Sequence, residues 1–212
     1  MNRPRILIGI DLEELNLQAG KGRELSLEER LEISREGLER TLMILDRYQL
    51  RVTFFITAAW AQRYPALVHK LTHRHEVAAY GLVNKNTLEQ ITGSRIYGCR
   101  MPFALKPDYS ALEAAGYLYH SGGQSVKPMT IEGGIYEIYA ESLRPLWSTK
   151  RFLARQAVIS LRFYSRELST HPISRAENPR LAARLDRVLS YLNPKAQFMP
   201  HIEWLQEQLS DE

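Results

Sequence analysis

The run Ile6-Leu7-Ile8-Gly9-Ile10 is apolar at every position and stops at Asp11. A strand with one wet face alternates. A strand that is apolar throughout is covered on both faces, the mark of a parallel sheet flanked by helices. The rest of the chain must then supply parallel neighbours for this strand and amphipathic helices to cover them.

It supplies both. Ser26 and Glu29 form a capping box that opens a helix with Leu27, Leu31, Leu38, Leu42 and Leu45 on one face. Further strands are expected at Val52–Ile56, His75–Tyr80, Arg95–Cys99, Tyr117–Tyr119, Ile135–Ile138 and Ala196–Phe198. Helices are expected from Ala59 to Leu71, interrupted by Pro65, and at Thr87–Thr92 and Asp108–Ala115. Three more are expected at Phe152–Leu161, Asn178–Leu192 and His201–Leu209. The link after Tyr80 is short for a parallel crossover, which usually takes about a dozen residues or more, and so raises the question of whether the sheet closes there.

Strands alternating with helices define an α/β fold with right-handed crossovers. The number of strands and the lack of a Gly-rich phosphate loop favour a barrel over an open nucleotide-binding sheet. At 212 residues, one domain spanning 1–212 is expected. The composition, 44% hydrophobic and 25% charged, is globular. The net charge of +4 is spread along the chain without a basic cluster interleaved with aromatics, which argues against a nucleic-acid partner. The single cysteine, Cys99, excludes an internal disulfide and a Cys-rich metal site. The apolar run at Ile6 is too short for a signal-peptide core, and no stretch approaches the roughly 20 residues of a membrane span. A cytoplasmic protein without membrane contact is the expectation.

In barrels of this kind chemistry sits where strands meet the loops that follow them. Asp11 with Glu13, Tyr80 with Asn84, and Arg100 occupy such places. His171 follows another candidate strand, although Leu161–Pro172 reads equally as a helix running into a loop. A partly desolvated Asp11 is a candidate base, an arginine beside it would orient it, and His171 is a candidate acid. Each has a plainer reading: Asp11 as a loop or cap residue, the arginine as its structural partner, and His171 as a surface histidine. Tyr80, Tyr97, Phe103 and Tyr119 are candidates to line a sugar-stacking cleft, or else belong to the core.

The order of these segments resembles the polysaccharide deacetylase family, the NodB-homology or carbohydrate esterase 4 enzymes, from Ile6 to about Leu205. IGIDLEELN is similar to the family's opening motif, a strand ending in Asp-x-Glu/Asp. RVTFFITAAWAQRYPALVHKLTHRHEVA resembles its most recognisable segment, and YGCRMPF its Arg-x-Pro motif. AAGYLYHSG, IYEIYAES and STHPIS are similar to its later motifs, the last to a His-Pro motif. The resemblance implies a distorted (β/α) barrel and hydrolysis of acetyl groups on sugars by a divalent metal, usually zinc. It implies that Asp11 is the base, Glu13 the carboxylate ligand, Arg100 the residue orienting the base and His171 the acid.

The family's two metal-binding histidines fall on Tyr80 and Asn84. A phenol of pKa near 10 and a neutral amide are poor zinc ligands, and zinc needs three protein ligands beside an open position. His73 and His75 precede the strand and should lie at its opposite end, and His120 stands alone. No catalytic zinc or other cofactor is therefore expected. The expected function is that of a deacetylase-like protein with a degenerate metal site, weak or silent in catalysis, with a carbohydrate as the candidate partner. The alternatives are an active deacetylase with a rebuilt or metal-independent site, and a non-catalytic sugar- or protein-binding scaffold.

Overall fold

The structure, a computed structural model, describes residues 3–14, 25–82, 85–102, 105–123, 125, 127–143, 146–153, 157–172 and 180–210. The apolar run forms β1 (Arg5–Leu12), and the chain continues through α1 (Leu27–Arg47), β2 (Thr53–Ile56), α2 (Ala58–Arg63) and α3 (Pro65–Thr72). Next come β3 (Glu76–Tyr80), α4 (Lys85–Thr92), β4 (Gly98–Arg100), α5 (Tyr109–Ala114), β5 (Tyr119–Gly122), β6 (Met129–Glu132) and β7 (Ile135–Tyr139). The remainder is β8 (Glu141–Ser142), α6 (Leu146–Leu153), β9 (Val158–Tyr164), a 3-10 turn (Ser165–Leu168), α7 (Leu181–Leu192), β10 (Gln197–Met199) and α8 (His201–Ser210).

These strands make one ten-stranded sheet in the order β6-β7-β5-β4-β3-β2-β1-β9-β8, with β10 added beside the start of β1. Every pairing is parallel except β6 with β7. The path has two ends, β6 and β8, which do not pair with each other among the described residues. The sheet is thus a curled half-barrel rather than a closed ring. The short link after Tyr80 is not where it opens: β3 pairs directly with β4, and α4 covers the crossover with Leu88 fully buried.

The period of two along a strand sorts its residues between two cores. Ile6, Ile8, Ile10 and Leu12 of β1 face the helices, in a cluster with Leu31, Leu38 and Leu45 of α1. Leu7 faces the inner side of the curl with Phe55, Ala78, Tyr80, Tyr119, Ile138 and Met199. Gly9 is on that inner side as well. A Cβ there would lie 2.5 Å from an Arg100 nitrogen and 2.8 Å from the Phe55 ring, so glycine leaves the space that the guanidinium fills. The capping box forms, with the Glu29 amide donating to Ser26 and the Ser26 amide donating to Glu29.

Four expectations are corrected. Phe152–Leu161 is not a helix: α6 ends at Leu153, and Val158–Tyr164 is the strand that pairs with β1 along its length. Ile159, Leu161 and Phe163 alternate there with Ser160, Arg162 and Tyr164, a strand period. The Leu161–Pro172 stretch therefore divides, strand to Tyr164 and then a 3-10 turn. The fourth strand sits at Gly98–Arg100 and the fifth at Tyr119–Gly122, both shifted toward the C-terminus. The two short strands β6 and β8 lie outside the expected set.

Candidate functional site

The inner-facing residues at the C-terminal strand ends converge. Pairing sets Asp11 level with Phe55 of β2 and Tyr164 of β9, and sets Tyr80 level with Arg100. Arg100 is fully enclosed. It donates to Asp11 Oδ1 at 2.6 Å, to the Ser121 carbonyl at 2.8 Å and to Ser121 Oγ at 2.9 Å, with its plane 3.9 Å from the Phe55 ring centroid. Burial lifts the Asp11 carboxyl above its ordinary range, while Arg100, Arg162 and Arg166 pull the other way.

Glu13, just beyond β1, is equally buried and forms an ion pair with Arg166 of the 3-10 turn. Burial outweighs that arginine, and with the neighbouring Asp11 and Glu14 charges it pushes the Glu13 carboxyl up to about 7. Glu14 accepts a 2.5 Å hydrogen bond from Thr57, which also caps α2. Tyr80 is buried and hydrogen-bonded to Tyr164, and burial together with the Asp11 and Glu13 carboxylates raises its phenol well above the ordinary value. Tyr164 is raised for the same reasons.

Asp11, Glu13, Tyr80 and Arg100 are thus brought together. His171 lies past the 3-10 turn, half-buried, with its backbone N–H donating to Ser169 Oγ at 3.0 Å. The β9 residue level with Asp11 is Tyr164. Tyr119 is not at this end. Its fully buried ring stacks on His201, and its hydroxyl donates to Glu76 at 2.7 Å, so it belongs to the interior and lines no sugar cleft. Asn84 and Phe103 lie outside the described residues. Arg162, Tyr164 and Arg166 are not among the sequence candidates: Leu161–Pro172 reads equally as a strand or as a helix running into a loop, and Arg166 lies on the 3-10 turn beyond the strand. The alternation through Val158–Tyr164 is the signal that identifies Arg162 and Tyr164.

These residues do not fit a catalytic zinc. Asp11 Oδ2 and Glu13 Oε2 are buried without a hydrogen-bond partner among the described residues, as acceptors awaiting a cation would be. Yet each of these carboxylates already faces an arginine through its other oxygen, and the described neighbours that act on them and on Tyr80 are guanidiniums, carboxyls and phenols. No group of three or more His, Cys, Asp or Glu among the described residues is placed to hold a metal. His120 has both nitrogens engaged. The Met101 N–H donates to Nε2 at 3.0 Å, which leaves Nδ1 to donate to Glu137 at 2.6 Å. His73 and His75 line a cavity of about 230 Å³ at the opposite end of the strands.

That lower end holds a second polar network. Thr53 donates to Glu76 at 2.7 Å, and its oxygen accepts from the His201 backbone N–H at 2.9 Å and from Nδ1 at 2.8 Å. With its one proton given to Glu76, Thr53 fixes the proton of His201 on Nδ1, and Ser160 donates to Nε2 at 3.0 Å. Burial drives His201 well below its ordinary pKa, in keeping with a neutral ring.

The sequence matches no protein-family model and no curated protein. Solved structures do share the fold. One is a Mycobacterium smegmatis protein assigned as a polysaccharide deacetylase, 16% identical with a TM-score of 0.74, covering 100% of this chain and 92% of its own. A PuuE allantoinase is 16% identical with a TM-score of 0.69, covering 94% and 88%. A mutant of a carbohydrate esterase 4 pseudoenzyme with restored activity is 12% identical with a TM-score of 0.58, covering 95% and 67%. The fold is therefore the distorted (β/α) barrel of the polysaccharide deacetylases. At these identities the likeness is one of fold.

Proposed function

We propose that this protein is a diverged polysaccharide deacetylase relative, a single domain that recognises a carbohydrate and no longer hydrolyses it through a metal. One observation carries the reading: Tyr80 stands among Asp11, Glu13 and Tyr164 with its phenol raised well above the ordinary value. A neutral phenol donates a hydrogen bond but offers zinc no anionic or imidazole ligand. Without the metal, the polarised carbonyl and the activated water are both lost. Asp11 and Arg100, which the family resemblance makes the base and the residue orienting it, form a buried pair, but a base without a metal-activated water recovers little of that chemistry. The fold occurs in a carbohydrate esterase 4 pseudoenzyme as well as in deacetylases, so it is compatible with loss of the chemistry.

The test is calorimetric titration with chitooligosaccharides alongside an acetate-release assay, with and without added zinc. Saturable binding without acetate release is the expected result. Release that is abolished by a chelator would overturn the loss of metal chemistry. Release that persists with a chelator would instead establish a metal-independent deacetylase.

A further inference from the structure

Two buried carboxylates stand at the end of β1, and each has its own arginine: Asp11 with Arg100, Glu13 with Arg166. Arg100 comes from within the sheet. Arg166 comes from outside it, on a 3-10 turn that the surrounding structure holds in place. Gly37 of α1 lies so close to this turn that a Cβ would come within 2.0 Å of the Ser165 carbonyl oxygen. Ser34 and Ser165 share a 3.1 Å hydrogen bond, and the Trp60 indole donates to the same Ser34 hydroxyl at 3.1 Å. The Tyr164 N–H donates to Glu167 at 3.0 Å, closing the start of the turn, and the Arg166 guanidinium lies 4.1 Å from the Tyr164 ring centroid.

We propose that Arg166 is a resident cation that takes the electrostatic place of a metal ion at Glu13 and bars divalent ions from the site. An entering ion would have to displace a tethered guanidinium and leave it buried without its counter-charge, which is strongly unfavourable. The Asp11 and Glu13 oxygens that have no partner among the described residues are what such an ion would use once the guanidinium is gone. An all-oxygen donor set of this kind suits a hard ion such as manganese(II) better than zinc. This inference rests on the reading of the site as one without metal chemistry, but concerns the residue that keeps the metal out.

The experiment uses the full chain after chelator treatment, with Mn²⁺ and Zn²⁺ as probes in equilibrium dialysis and thermal unfolding. The wild type is expected to bind neither ion. Arg166→Met should lower Tm by about 6–20 °C, with part of that loss regained as Mn²⁺ is added. Arg166→Lys should keep most of the stability and remain insensitive to metal. Glu13→Gln combined with Arg166→Met should be more stable than Arg166→Met alone and should not respond to Mn²⁺.

If Arg166→Met does not fold but the double variant does, the charge pairing is upheld. Stoichiometric uptake of either ion by the wild type overturns the proposal. So does an Arg166→Met protein whose Tm neither falls nor responds to Mn²⁺, and so does failure of both variants to fold. Binding of a chitooligosaccharide by the wild type is read separately, so a failure of sugar recognition is distinguished from a failure of the charge pairing.

Discussion

Gly37 and Ser165 touch backbone to backbone: the site of a Cβ on Gly37 is 2.0 Å from the Ser165 carbonyl oxygen. No side chain fits there unless α1 and the 3-10 turn separate. Gly37→Ala is therefore expected to destabilise the protein by roughly 1–3 kcal/mol or more, read by chemical denaturation. Exposed Gly→Ala changes in helices usually stabilise, so a gain here would show that the contact is looser than described.

The Asp11–Arg100 pair is buried on both sides. Arg100→Met should cost about 3–5 kcal/mol because it strands a buried carboxylate. The double variant Asp11→Asn with Arg100→Met should recover a large share of that loss. A double-mutant cycle in denaturant measures the coupling, and additive losses would refute it.

Glu76 supplies a pH dependence. Thr53, Tyr119 and the Ile202 N–H hydrogen-bond to it, and Glu203 is the neighbouring charge. His201, which also packs here, stays neutral. Burial outweighs the three donors and raises Glu76 from 4.5 to about 7. The folded state thus holds this proton more tightly than the unfolded chain does. Its stabilising contribution is complete below about 4.5 and is lost as pH rises through about 7. Glu76→Gln should flatten the stability profile between those values, and an unchanged slope would assign the dependence elsewhere.

His120 is fixed between the Met101 N–H and Glu137. His120→Phe should leave the buried Glu137 and the half-buried Met101 N–H without this contact, at a cost of roughly 1–3 kcal/mol, chiefly from Glu137. Thermal unfolding at pH 7 checks the loss, and a neutral substitution would show that solvent reaches them.

Much of this arrangement was legible in the sequence. The all-apolar β1 required parallel neighbours and helices, and the strand-end rule drew attention to Asp11, Glu13, Tyr80 and Arg100, which do converge. Three features were harder to read. Val158–Tyr164 packs one face on the helices and turns Ser160, Arg162 and Tyr164 inward, so its mixed apolar and polar string falls partly in the expected Phe152–Leu161 helix and partly in a stretch that reads equally as strand or helix. Arg166 sits on a single 3-10 turn, too short for any periodic signal. Tyr119 shares its residue type with site aromatics, but its place at the lower end is set by strand register, which no local pattern reveals.

The lower half of β1 bears on the order of folding. Arg5, Ile6 and Leu7 pair with Gln197, Phe198 and Met199, and Arg5 also forms an ion pair with Glu207. β1 is thus completed on that side by β10, which is synthesised long after it, and closing so long a loop is slow. Until β10 arrives, the edge of β1 at Ile6 and Leu7 has no partner on that side. A nascent chain stalled before Gln197 would present an apolar strand edge, the kind of surface that chaperones hold and aggregates recruit.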